Sequence, residues 1–275
     1  MPGGGQVRVI KPWNLAAETL IYCALGLGTL LVIFAVPEIF RAGMYFAYDV
    51  ASQARVNALQ WPGWVLDLPS YALSAVIFTG IIRYVALGEG PFWIPRPRLT
   101  LNYLATAMLL MVVATIAYST TPSWLFVKLY QYFVVEIDLY DERSIQLWGT
   151  VYSAIGFFIS AVLVALTYPA LGFTAIHTRI NARQLLRWHK NNFWRILILA
   201  VLLMSVCFAL RRAYWWTLDF FAPGLTSDLY YLEHENLRST LVQIVNLPMD
   251  FLFDIVPAVA IGLLYRVLKA NSVDE

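Results

Sequence analysis

Six apolar runs, each about long enough to cross a lipid bilayer, constrain this chain more than any other feature. A bilayer core is roughly 30 Å thick, and a helix rising about 1.5 Å per residue needs about 20 apolar residues to cross it. The runs lie at about 15–36, 69–88, 101–118, 148–168, 193–213 and 247–268. Of the 275 residues 60% are hydrophobic and 13% charged, so a water-facing globule would lack the polar residues to cover itself. The same composition excludes a disordered chain. Cys23 and Cys207 both fall in apolar runs, are expected to stay unpaired, and are too few for a disulfide scaffold. The expected fold is all-α: a single polytopic membrane domain over 1–275, an integral six-helix bundle with interfacial amphipathic helices.

Tryptophan prefers the membrane–water interface, which gives an independent check. All ten tryptophans lie at a run's end or between runs. Orientation follows from Lys and Arg counts in the connections. With the N-terminus inside, the inner segments carry twelve: Arg8, Lys11, Arg83, Arg96, Arg98, Arg179, Arg183, Arg187, Lys190, Arg195, Arg266 and Lys269. The outer segments carry the other seven of the nineteen: Arg41, Arg55, Lys128, Arg143, Arg211, Arg212 and Arg238. Both termini are therefore expected in the cytoplasm.

The outer connections, about 37–68, 119–147 and 214–246, are aromatic and acid-rich with helical periodicity. Such segments suit helices lying in the interface or capping the bundle. Asn14, Asn102 and Asn192 stand near the starts of the odd spans, where an Asn side chain makes a good N-cap. Leu68-Pro69 and Leu247-Pro248 open spans 2 and 6 in a manner suited to a first turn. Gly26, Gly28 and Gly156 are expected to let helices approach closely.

Two stretches carry a resemblance. One is Arg83-Tyr-Val-Ala-Leu-Gly-Glu-Gly90 followed by Arg96-Pro-Arg-Leu-Thr-Leu-Asn-Tyr103. The other is Asn181-Ala-Arg-Gln-Leu-Leu-Arg-Trp-His-Lys-Asn-Asn-Phe-Trp-Arg195. The second resembles the short amphipathic helix before a span in bacterial proteins of the Yip-like and glycerophosphodiesterase membrane-domain group. That resemblance implies a multi-pass protein of the bacterial inner membrane. It implies no reaction, because the phosphodiesterase activity in the group's name belongs to a separate soluble domain.

Asp254 is the sharpest anomaly, about seven residues into span 6. Intramembrane carboxylates are costly and usually face a protein interior or a cavity. Pro257 leaves the Phe253 carbonyl without its helical donor, a polar notch beside the acid. Asp254 is a candidate proton or cation site, or else an internal partner of Arg211 or Arg212, or a neighbour of Asp250. Arg211 and Arg212 in turn either reach lipid phosphates or hold an acid. Arg179, Arg183, Arg187 and Lys190 form a basic stripe that can face anionic lipid or dock an acidic partner. Glu18 suits the first turn of span 1. Glu136, Asp138, Asp141 and Glu142 read as a solvated face or a weak divalent-cation site.

The three histidines, His177, His189 and His234, are too separated for a metal site, and no nucleophile, phosphate-loop or zinc motif occurs. No enzyme activity, cofactor, metal or nucleic-acid partner is expected. The expected function is partner binding, scaffolding or membership of a membrane complex, with lipids and a membrane protein as partners. The alternative is a small proton- or ion-coupled transporter using Asp254.

Overall fold

The computed structural model describes residues 10–54, 63–89, 96–131, 142–177, 181–222 and 235–272. Those residues are all-helical. The helices are α1 (Pro12–Leu25), α2 (Leu27–Ala54), α3 (Gly63–Leu87), α4 (Pro97–Tyr130), α5 (Glu142–Ile176), α6 (Ala182–Phe221) and α7 (Glu235–Ser272). Among the described residues, Leu27–Met44, Ser153–Ile176 and Ala182–Phe221 are long and apolar enough to cross a membrane, and Tyr71–Leu87 is a shorter apolar stretch.

Helix starts and stops follow local chemistry, at places other than those the sequence suggested. Pro12 opens α1 behind an extended Lys11, so Asn14 lies inside the helix and Glu18 lies beyond its first turn. Pro97 opens α4, which puts Asn102 inside it. The residue that caps α6 is Asn181, whose Oδ1 accepts from the Gln184 N–H at 3.2 Å. Asn192 sits eleven positions further on and donates to the Trp188 carbonyl instead. Pro69 and Pro248 are likewise interior to α3 and α7, which begin at Gly63 and Glu235.

The first apolar run is divided at Gly26, which has φ −91° and ψ 4°. Its N–H still reaches the Tyr22 carbonyl at 3.0 Å, and its own carbonyl accepts from Leu30 at 2.9 Å. The join between α1 and α2 is therefore a kink in one path, with no loop.

The described parts of the connections at about 37–68, 119–147 and 214–246 are continuations of the long helices. α2 runs on to Ala54, α4 to Tyr130 and α6 to Phe221, and α7 begins at Glu235. Ending a helix exposes four carbonyls that need partners. Just beyond Pro37, Glu38 and Arg41 of α2 form an ion pair at 2.8 Å. Extending the helix keeps its backbone satisfied where no capping residue intervenes.

The core is organised around α7, which packs against α1, α2, α3, α5 and α6. Its second half is buried on nearly all sides, with Ile255, Val256, Val259, Ala260, Leu263, Leu264 and Leu268 sealed inside. Apolar surroundings remove most of the hydrophobic drive between helices, so close packing has to hold them. The close approaches occur at Gly262 and Gly172. A Cβ at Gly262 would stand 2.8 Å from the Val85 Cβ and 3.0 Å from the Ile82 carbonyl oxygen, both on α3. At Gly172 of α5 it would meet the Ile261 Cγ2 at 3.1 Å. Gly28, expected to be a packing residue, has nothing within 4 Å of such a Cβ, and Gly26 meets its own helix. Their places in the sequence hid this, because only the partner helix decides which small residue is needed.

Candidate functional site

The densest polar grouping lies where α3 and α5 both end. α3 closes on Gly88, whose φ of +71° turns the chain back, with its N–H on the Tyr84 carbonyl at 2.9 Å. A left-handed residue at this position is a standard helix stop and favours glycine. The turn carries Glu89 onto Arg83, one and a half turns earlier in α3. Arg83 Nε donates to Glu89 Oε2 at 3.1 Å, and Nη2 donates to the same oxygen. Arg96, just before α4, donates to that oxygen as well, at 2.8 Å. The remaining Arg83 nitrogen, Nη1, donates to the carbonyls of Ile176 at 3.1 Å and Ala175 at 3.4 Å. Those are terminal carbonyls of α5, which lack helical donors. One buried guanidinium thus joins α3, the turn after it and the end of α5, and Glu89 carries the link on to the entry to α4.

Glu89 is held below the ordinary carboxylate value of 4.5 by the Arg83 hydrogen bond, opposed by partial burial and assisted by the charges of Arg83 and Arg96. A depressed acid stabilises the fold fully above its unfolded value and loses that contribution as pH falls through the folded one. Glu89→Gln should therefore flatten the acid limb of the stability profile below about pH 4.5 and leave the neutral region's slope unchanged. Thermal unfolding in detergent across that range reads the effect. An unaltered acid limb would show that Glu89 is not the group responsible.

His177 follows α5 directly, with its N–H on the Phe173 carbonyl at 2.8 Å. Its Nε2 lies 2.6 Å from the Tyr265 hydroxyl of α7. Phe173 stacks on the imidazole with ring centres 4.4 Å apart. Trp188 of α6 presents its ring to Phe173 at 5.9 Å and to Tyr265 at 5.7 Å. Three helices therefore share one aromatic cluster. Trp188, which the interfacial preference of tryptophan had placed at the lipid boundary, is only 6% exposed. Next to it, His189 Nε2 reaches the Leu166 carbonyl of α5 at 2.8 Å, three residues before Pro169.

The basic stripe falls on the opposite side of α6. Arg183, Arg187 and Lys190 are exposed, and Trp194 continues their line at 71% exposure. Their spacing of i, i+4, i+7 and i+11 keeps one helix face. Ile196 and Leu199 share the buried face with Trp188. Arg179 lies outside the described residues, as do His234, Glu136, Asp138 and Asp141.

Asp254 lies towards the opposite end, on the exposed side of α7, directly before the buried Ile255 and Val256. Arg211 of α6 sets its guanidinium carbon 5.8 Å from the centre of the Phe253 ring. Phe253 packs edge-on to Phe208 at 5.5 Å, and Phe208 meets Phe157 of α5 at 5.7 Å. Arg212 is exposed. Asp254 is within electrostatic reach of the buried Tyr103 of α4. Further along α6, the Tyr214 hydroxyl donates to the Val245 carbonyl of α7 at 2.6 Å, three residues before Pro248. From Lys190 to Arg211 the helix rises about 32 Å, so the basic stripe and Asp254 belong to separate ends.

Neither Arg83 nor His177 stood out as a functional candidate by sequence. The Gly88-Glu89 pair just after Arg83 was the available local signal for the first. The second depends on helix pairing that no local pattern carries. Among the described residues no grouping of His, Cys, Asp and Glu is suited to a metal ion. The arrangement at the Arg83 end binds backbone and carboxylate and holds helices together. No family model, no curated protein and no solved structure matches the chain.

Proposed function

We propose that this chain is a six-span protein of a bacterial inner membrane, with both termini cytoplasmic. Its role is to bind a partner as a scaffold or complex subunit, without catalysing a reaction. The six apolar runs and the twelve-to-seven distribution of Lys and Arg support the topology. The resemblance of the Asn181–Arg195 stretch supports the bacterial membrane.

One observation carries the partner-binding reading. α6 has 40 residues, so it is about 60 Å long, roughly twice the thickness of a hydrocarbon core. Beyond its Arg211-Arg212 pair it keeps Trp216, Phe220 and Phe221 at 75–79% exposure. Large apolar groups displayed past a charged girdle mark a surface that another molecule covers.

The test is native extraction of the tagged protein, with mass spectrometry of what co-purifies. A stoichiometric protein partner is expected, and Trp216→Ser with Phe220→Ser should reduce its recovery about tenfold or more. Recovery of the chain alone would overturn the reading. The alternative is proton- or ion-coupled transport, favoured by Asp254 lying within an apolar run on the exposed side of α7. For that reading, Asp254→Asn should abolish proton flux in liposomes without lowering protein abundance.

A further inference from the structure

The aromatic cluster at the end of α5 contains one group whose charge changes near neutral pH. His177 is tied to Tyr265 through a 2.6 Å hydrogen bond and covered by Phe173. The charged and titratable groups around it come from three directions. From α3 comes Arg83, whose Nη1 is bonded to Ile176, the residue before His177. From α7 come Tyr265 and, one turn later on the same face, Lys269. From α6 comes Trp188, which does not titrate, while the neighbouring His189 is turned to the Leu166 carbonyl. Glu89, on the far side of Arg83, already receives Arg83 and Arg96.

We propose that His177 is a proton-operated latch: neutral, it fastens the end of α5 to Tyr265 of α7, and protonated, it releases that end of the bundle. A neutral imidazole nitrogen can accept the Tyr265 hydroxyl proton, whereas an imidazolium can only donate. Protonation turns that nitrogen from acceptor to donor, and it places a third positive charge, partly buried, beside Arg83 and Lys269; that repulsion, rather than loss of the bond itself, opens this end. Burial, with Lys269 and Arg83 assisting, holds His177 below its ordinary value of 6.5. A base with a depressed value prefers its neutral form in the folded chain. The latch therefore contributes fully above about pH 6.5 and is lost as pH falls through the folded value. This window lies above that of Glu89, so the two groups are separable. The latch does not depend on the partner-binding reading or on which side of the membrane this end faces.

The test uses the full chain in phosphatidylcholine nanodiscs, where both faces meet the buffer. Amide exchange is followed between about pH 7.5 and 5.5, corrected for the intrinsic pH dependence of exchange. Amides of 170–177 and 262–269 should lose protection several-fold at the lower pH, while the outer half of α6 stays unchanged. His177→Gln, which keeps a hydrogen-bonding side chain but cannot titrate, should abolish that loss. Equal loss in His177→Gln, or no loss in the parent chain, would overturn the latch. Lys269→Gln supplies a second reading should the first variant fold poorly. With one cation removed, the midpoint of the opening should move to higher pH. An unmoved midpoint would also overturn the proposal.

Discussion

Replacing Arg83 by alanine should destabilise the bundle by on the order of 3 kcal/mol. It should also open the ends of α3 and α5 before the rest unfolds. The size follows from what the guanidinium holds. Its side chain is 9% exposed, and it donates to two carbonyls of α5 as well as to Glu89. Truncation leaves those carbonyls without the donor that caps them. The Glu89 share is smaller, because that carboxylate is 38% exposed and retains Arg96 and water. Arg83→Lys should recover only part of the loss, since a single ammonium cannot span both the carboxylate and the carbonyls as a planar fork does. Steric-trap or denaturant unfolding in mixed micelles measures the total, and exchange at 170–177 locates the opening. Stability within about 0.5 kcal/mol of the parent would mean that this end is held by something else.

Gly262→Leu should be at least as damaging, by preventing α3 and α7 from meeting. Even an alanine Cβ would stand 2.8 Å from Val85 Cβ and 3.0 Å from a backbone oxygen. The second obstacle is main chain and cannot turn aside, so one helix must move bodily. Overpacking of a filled core costs about 1–3 kcal/mol. Alanine belongs in that range, and leucine above it, with loss of folded protein the expected result. Gly172→Ala should cost less, because its nearest obstacle, the Ile261 Cγ2 methyl, stands at 3.1 Å and the Ile261 carbonyl oxygen stands off at 3.6 Å. Gly28→Ala is the control. It meets nothing within 4 Å and should gain up to about 1 kcal/mol from helix propensity. Size-exclusion profiles and melting temperatures of the four variants give the order. A ranking in which Gly28→Ala and Gly262→Ala behave alike would remove the close-approach argument.

The helical architecture was legible because it rests on average properties of long apolar runs. Where helices begin and end was less so, since Asn and Pro are accepted inside these helices as well as at their starts. Asn181 and Asn192 illustrate this: both precede apolar residues, and only the first has an extended backbone that lets its side chain cap. Asp254 stood out by chemistry alone, but the side of α7 it occupies depends on which neighbours surround that helix. The Arg83 grouping was half legible. A Gly-Glu pair at the end of a run that carries an arginine one to two turns earlier hints at a turn back, whereas the α5 carbonyls are over 90 residues away in sequence. The His177, Trp188 and Tyr265 rings come from three helices and share no local pattern. Their meeting is set by the register of α5, α6 and α7, which periodicity within one helix does not encode.

α6 also differs from the other described helices in containing neither glycine nor proline between Ala182 and Phe221. α2, α3, α5 and α7 all carry proline inside, and sharp bends in helices concentrate at such residues. The residues that favour bending thus lie in the neighbours, while α6, held to α7 through Trp188 near one end and Tyr214 near the other, has none and is expected to act as a rod. A rod with two pins tilts rather than flexes. An angular change of a few degrees at the end carrying Trp216 and Phe220 would therefore reach the His177 cluster as a displacement of ångströms. The two ends of α6 would then be linked mechanically.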